Sequence, residues 1–251
     1  TDKDNWDEIE TQMFLFQKGD TKMGLRYDGT VGLSRYVAGH LNDLVFPFRA
    51  SQFSKRYRGE RAQKGRYREF YQMDMDIMGI NALSTNYDAE IISVIDRALK
   101  SVAEFVGPAR VLVGSRPFWD AMFAHLGLDD AQKKSVFVLI DKKDAMGDDE
   151  FASGLRDALN DVAKEDEIKS VFTRGYTEFT GRTPELDAAI DELTHFVHVL
   201  RDMGVNNAEI DLSIARGLAY YTGLVFEFKL INHPELGTAA GGGRYADLAG
   251  K

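Results

Sequence analysis

Arg58-Gly59-Glu60-Arg61-Ala62-Gln63-Lys64-Gly65-Arg66-Tyr67-Arg68-Glu69-Phe70-Tyr71-Gln72-Met73-Asp74-Met75-Asp76 is the most informative run of the chain. Its first half sets five cationic side chains and two glycines in a short loop, and its second half runs on as a strand to Gly79. Side chains alternate along a strand with a period of two. One face then carries Tyr67, Glu69, Tyr71, Met73, Met75 and Ile77, a largely apolar set expected to pack on helices. The other carries Arg66, Arg68, Phe70, Gln72, Asp74 and Asp76, the floor of a polar cleft. Gln72 and Asp76 lie roughly 13 Å apart along the backbone at about 3.3 Å per residue, a span that suits the two ends of an amino-acid-sized ligand. A solvent-facing strand with ordinary polar residues shows the same alternation.

The loop adds a second chemistry. Phosphate oxygens accept planar, bidentate hydrogen bonds from guanidinium, which outperforms lysine where geometry matters. Gln52 to Arg58 reads as the partner strand, so Arg58 and Arg66 sit where they could converge on one nucleotide from opposite sides of a hairpin. A solvated basic loop is the plain alternative. Between Lys55 and Arg68 there are seven cations against one anion, so the remainder of a chain with net charge −9 carries −15. A concentrated positive patch on an acidic chain suits a bounded polyanion better than a long nucleic-acid surface.

Working outward, residues 12 to 28 read as a two-stranded unit around the turn Gln17-Lys18-Gly19-Asp20. Thr30 to Leu44 has helical spacing, with Thr30 able to cap its start. Asp88 to Phe105 is a helix with Ile91, Ile92, Ile95, Leu99 and Val102 on one face, followed by a short strand at Val111 to Val113 and a helix from Pro117 to Leu126. Residues 129–182, rich in Asp, Lys and Glu, read as a partly exposed helical insert. Pro184 to Met203 is a helix ended by Gly204, and Ala208 to Ile214 and Tyr221 to Leu230 are strand-like. This order predicts an α+β fold, an antiparallel sheet flanked by helices. A Rossmann reading lacks its strand, glycine loop and helix near the start.

At 251 residues with 44% hydrophobic content, the chain suits one large domain with an insert or two modest ones. No apolar run approaches bilayer-spanning length, and Thr1-Asp2-Lys3-Asp4 does not read as a signal peptide. The absence of cysteine excludes disulfides, thiolate nucleophiles and Cys-ligated zinc, and fits a cytoplasmic location. His195 and His198 lie three apart on a helix without an obvious third ligand, so no protein-bound metal is expected.

Other polar positions admit two readings each. In Arg26-Tyr27-Asp28-Gly29-Thr30, Asp28 can accept from a ligand ammonium, while Thr30 can cap the helix or touch the ligand. Ala215-Arg216-Gly217-Leu218-Ala219-Tyr220-Tyr221-Thr222-Gly223 places an arginine and a tyrosine pair in a glycine-bracketed connection, although core packing is the usual fate of tyrosines. Gly241-Gly242-Gly243-Arg244-Tyr245 is either a tight turn or a backbone that a flat ring approaches closely.

The runs Arg58 to Gly79 and Ala215 to Glu227 closely resemble the histidyl-tRNA synthetases, a class II aminoacyl-tRNA synthetase family. The first corresponds to motif 2 of that class and the second to the family's histidine-specific element. Residues 26–30 and 241–245 fall in the expected order, and the match spans nearly the whole chain. The resemblance implies a class II catalytic core at 1–128 and 183–251 with an insertion at 129–182. It also implies a fragment cut at both ends, lacking the motif 1 helix, motif 3 and an anticodon-binding domain.

The implied chemistry is activation of L-histidine by ATP with Mg2+, then transfer to tRNA(His), in a cytoplasmic homodimer. By motif, Arg58 and Arg216 are the catalytic arginines at the α-phosphate. Glu60 meets the adenine side of ATP, Arg66 the outer phosphates, and Gly241 and Gly243 also border ATP. Asp28 and Thr30 take the histidine amino group with Gln72 beside them, Asp76 and Tyr221 read the imidazole, and Tyr220 also binds the histidine. Asp76 stands where many members have Glu, and Ala219 where an acid is common. The competing expectations are a non-catalytic, histidine-sensing regulatory subunit of ATP phosphoribosyltransferase, which has no need of nucleotide-gripping arginines, and a synthetase-like tRNA-sensing module.

Overall fold

The computed structural model describes residues 10–62, 64–143, 146–179, 181–214 and 221–245. These divide into two compact units, one of residues up to 87 with 233–237, the other of residues 88–232 with 238–245.

The first unit begins with the expected hairpin, β1 (Leu15–Lys18) pairing antiparallel with β2 (Thr21–Gly24) around Gly19, whose φ of 60° favours glycine. Helix α1 (Thr30–Gly39) is shorter than the spacing predicts and does not use Thr30 as a cap. Gly29 is its N-cap, and the Asp28 carboxylate accepts from Val31 N at 3.2 Å instead. At the other end the His40 ring stacks on Tyr36, and its backbone N–H bonds Val37 O as the helix closes.

Strands β3 (Phe48–Tyr57) and β4 (Glu69–Met78) then form the predicted hairpin in continuous antiparallel register, Phe48 opposite Met78 through Tyr57 opposite Glu69. Its faces are the reverse of the packing expected. Phe53, Tyr71 and Met73 are exposed at 70%, 62% and 57%, whereas Arg56 on the polar face is fully buried at 0%. The alternation predicts correctly which residues share a face. It errs on which face is covered, because the polar residues satisfy one another by ion pairs and hydrogen bonds and so can be enclosed.

The second unit is organised by a four-stranded sheet in the order β6-β5-β7-β8. Here β5 is Ala109–Ser115, β6 Ala208–Ile210, β7 Tyr221–Leu230 and β8 Thr238–Tyr245. The β5–β7 and β7–β8 pairs are antiparallel, while β5–β6 is parallel. Around the sheet lie α2 (Asn86–Ser101), α3 (Ala103–Val106), α4 (Arg116–His125), α5 (Asp130–Lys142), α6 (Asp148–Leu159), α7 (Val162–Thr173) and α8 (Pro184–Asp202). Side-chain caps start several of these helices. Ser115 accepts from Phe118 N with Pro117 in the first turn, Asp129 and Gln132 form a reciprocal capping box, and Thr183 accepts from Leu186 N ahead of α8.

Val111, Leu112 and Val113 of β5 are buried in one apolar cluster with Phe118, Trp119, Met122 and Phe123 of α4 and Leu186, Leu193 and Leu200 of α8. Trp119 donates its indole N–H to Leu212 O at 3.0 Å. The 129–182 region is helical as expected. Its apolar faces, through Val136, Ile140, Phe151, Leu155 and Ile168, belong to that same cluster, and Glu165 is buried between Arg156 and Lys169.

Gly241, Gly242 and Gly243 form part of β8 and make no turn. A methyl at Gly243 would stand 2.8 Å from Tyr221 Cγ and 2.9 Å from Leu224 O, and one at Gly242 would stand 2.9 Å from Phe226 Cζ. The flat rings that need this bare backbone belong to the neighbouring strand.

Candidate functional site

In the first unit the inward face of the hairpin brings Gln52, Ser54 and Arg56 of β3 beside Phe70, Gln72, Asp74 and Asp76 of β4. Residues 26–30 lie across it. Tyr57 N bonds Arg26 O at 2.9 Å, Arg26 Nη1 donates to Ser54 Oγ at 2.9 Å, and Gln52 Nε2 donates to Gly29 O at 3.3 Å. Gly29 is there because nothing larger fits: a Cβ would stand 2.6 Å from Asp74 Oδ2 and closer still to the Arg56 guanidinium. This packing sets Gly29 on the face that holds Gln72 and Asp76 and brings Asp28 within electrostatic reach of Asp76.

Arg58 is braced rather than free. Its guanidinium lies over the rings of Tyr27 (5.0 Å) and Phe70 (5.4 Å). Nε donates to Tyr27 O at 3.4 Å and Nη2 to Gln72 Oε1 at 3.3 Å. Such stacking fixes a guanidinium plane before any ligand arrives. Gln72 in turn donates from Nε2 to Asp74 Oδ1.

Asp76 has one carboxylate oxygen, Oδ2, buried with no hydrogen-bond partner among the described residues. Burial pushes its pKa up to about 6, helped by the charges of Asp74 and Asp28. An acceptor left unpaired inside a protein is costly, and a ligand N–H relieves that cost.

Along the basic loop, Arg66 Nη1 pairs with Glu60 Oε2 at 3.3 Å, so two residues expected to meet ATP are linked to each other. Gly65 takes φ 77°, and Lys64 pairs with Glu235 at 2.9 Å. Lys64, Arg66, Glu235, Leu236 and Gly237 line a shallow open cavity beside the loop.

The second unit holds the other expected residues. Tyr221 opens β7, its ring 4.7 Å from that of Tyr245, whose hydroxyl donates to it at 3.4 Å. Gly241 and Gly243 sit in β8 against β7, and Arg244 is held by Asp88 at 2.9 Å. Arg216 and Tyr220 lie outside the described residues.

The histidyl-tRNA synthetase family model matches residues 5–251. The chain belongs to the histidyl-tRNA synthetase family. It is 40% identical over 259 residues to a histidine–tRNA ligase of Clostridium tetani, covering 96% of this chain and 57% of that protein. A histidine–tRNA ligase of Finegoldia magna is 38% identical, with 96% of this chain and 58% of that protein covered. The chain thus spans somewhat over half the length of these curated relatives.

Among solved structures, the histidyl-tRNA synthetase of a Nostoc species superposes with a TM-score of 0.80 at 29% identity, over 95% of this chain and 57% of that one. The α+β class II core is therefore the fold. A Bacillus halodurans structure described as an ATP phosphoribosyltransferase regulatory subunit/histidyl-tRNA synthetase shares it at a TM-score of 0.76 and 23% identity, over 95% of this chain and 62% of that one.

In this cleft, two residues carry more than the sequence pattern assigns them. Arg56 was counted only as one cation of seven, and Asp74 only as a member of the polar face, yet they form a buried ion pair under Gly29. Their available signal was the register: positions 56 and 74 fall on the same face as 58 and 72 once the hairpin is drawn.

Proposed function

We propose that the protein is a histidine–tRNA ligase, activating histidine with ATP and transferring the histidyl group to tRNA(His). The observation carrying this reading is the braced Arg58 on the same sheet face as Gln72 and the unpaired Asp76 carboxylate oxygen.

In the first step a histidine carboxylate oxygen forms a bond to the α-phosphorus of ATP as the bond to the pyrophosphate oxygen breaks. Charge gathers on the equatorial oxygens, and arginines oriented in advance stabilise it without reorganising. Arg58 takes that role in the first unit, with Arg216 as its proposed partner. Glu60 and Arg66 serve the adenine and the outer phosphates, with Gly241 and Gly243 beside the nucleotide. Mg2+ travels on the triphosphate.

Asp28, Thr30 and Gln72 receive the ammonium group. Asp76 and Tyr221 are assigned to the two imidazole nitrogens, with Tyr220 also assigned to the histidine. A site that pairs both nitrogens rejects ring analogues lacking them by roughly 10⁴–10⁵, because its own buried acceptor is otherwise stranded. Residues 129–182 serve as the insertion in a core made of 1–128 and 183–251, and the full-length protein works as a cytoplasmic homodimer.

The regulatory-subunit reading shares the fold and could share the histidine pocket. It leaves the bracing of Arg58 and the Glu60–Arg66 pair without a purpose. Histidine-dependent ATP–pyrophosphate exchange by the intact protein separates the two. Exchange is expected, with loss on Arg216→Ala and a selective rise in histidine KM on Asp76→Ala. Histidine binding without exchange would overturn the ligase reading in favour of a sensor.

A further inference from the structure

The ion pair between Arg56 and Asp74 has no ligand-facing purpose of its own. Arg56 is wholly inaccessible, so it cannot touch a substrate in the cleft. Stability alone explains it poorly. Desolvating two charges offsets most of their attraction, and well-packed apolar replacements of such pairs are often neutral or stabilising. Arg56 Nε is buried without a hydrogen-bond partner among the described residues, so the guanidinium is not even fully satisfied.

What the pair does is visible in its neighbours. Arg56 Nη2 binds Asp74 Oδ2, and Asp74 Oδ1 accepts from Gln72 Nε2. A glutamine amide has a donor end and an acceptor end of nearly equal size, and a half-turn about its last bond exchanges them. An ionised carboxylate accepts only. Asp74 therefore dictates that the Gln72 NH2 turns toward it and that Oε1 turns toward Arg58, where Nη2 donates to it at 3.3 Å. Oε1 keeps a second lone pair for a ligand ammonium. Arg56 holds the Asp74 carboxylate in place, and Ser54, which also accepts from Arg56, ties the group to Arg26. The same pair fills the space beneath Gly29, between Asp28 and Thr30.

We propose that Arg56 and Asp74 are positioning residues of the amino-acid pocket, a buried charge pair that locks the Gln72 amide with its oxygen toward the ligand ammonium. This deepens the ligase reading and rests on it. It predicts a defect that falls chiefly on histidine recognition and only secondarily, through Arg58, on ATP recognition.

The test uses the intact protein in pyrophosphate exchange with two variants. Arg56→Met/Asp74→Leu removes both charges together, so no lone charge is left buried to unfold the protein. Asp74→Asn keeps the shape but can offer Gln72 either an oxygen or an NH2. Both are expected to raise histidine KM about 10- to 100-fold, what one misaligned hydrogen bond to a charged group costs, with a clearly smaller rise in ATP KM through Arg58. Either variant showing histidine KM within about twofold of the unaltered protein would overturn the proposal. Absence of histidine-dependent exchange in the unaltered protein would instead overturn the reading on which it rests.

Discussion

In the second unit, β5 buries Val111, Leu112 and Val113 in the cluster that holds Trp119 and Phe123. In the first, the β3–β4 hairpin buries Arg56 and half-buries Gln72, Asp74 and Asp76, while Phe53, Tyr71 and Met73 face outward. The apolar sheet gains from every buried surface without regard to direction, so it serves as scaffold. The polar sheet gains stability as its donors meet acceptors, and among the described residues two of its buried groups, the donor Arg56 Nε and the acceptor Asp76 Oδ2, are left over. A leftover buried acceptor is where a ligand can be recognised, and it costs stability to maintain.

That contrast breaks first at Trp119. Trp119→Ala removes a fully buried ring and its hydrogen bond to Leu212 O, and is expected to cost about 3–5 kcal/mol by denaturant unfolding. A loss below about 1 kcal/mol would mean that the second unit is not held by this core.

A smaller effect is expected where the two roles of a glycine compete. Gly243→Ala sets a methyl against the Tyr221 ring and the Leu224 carbonyl, at a cost of roughly 1–3 kcal/mol in stability. Unchanged stability with weakened ATP binding would assign Gly243 to the nucleotide alone.

The smallest effect has the opposite sign. The pKa of Asp76 is raised from 3.8 to about 6 in the folded protein, so the fold favours its neutral form. Below pH 3.8 the group is protonated folded or unfolded and carries no penalty. As pH rises toward 6 and beyond, the unfolded chain gains by ionising first, and stability is lost. Asp76→Asn should therefore stabilise the protein on the order of 1 kcal/mol at pH 7–8, with the gain fading towards pH 4, while histidine activation falls. A stability difference that does not change with pH would remove the charge argument.

The hairpins, the helix start at Pro117 and the family itself were legible because each depends on neighbours a few residues apart or on a motif in one run. Thr30 is no cap because the helix starts one residue earlier, with Gly29 at the N-cap and Asp28 accepting from Val31 N. The glycine run was left between a turn and a ring contact, since its rings, Tyr221 and Phe226, lie across the strand pairing.

The sequence by itself determined which residues share a face of the hairpin, since a two-residue period is a property of backbone geometry alone. Tertiary structure alone decided which face is enclosed, because enclosure depends on whether distant polar groups find each other. Arg56 finds Asp74 eighteen positions away, and Gly29 makes room for both. A charge can be buried only where its partner is already waiting, and no local pattern records that meeting.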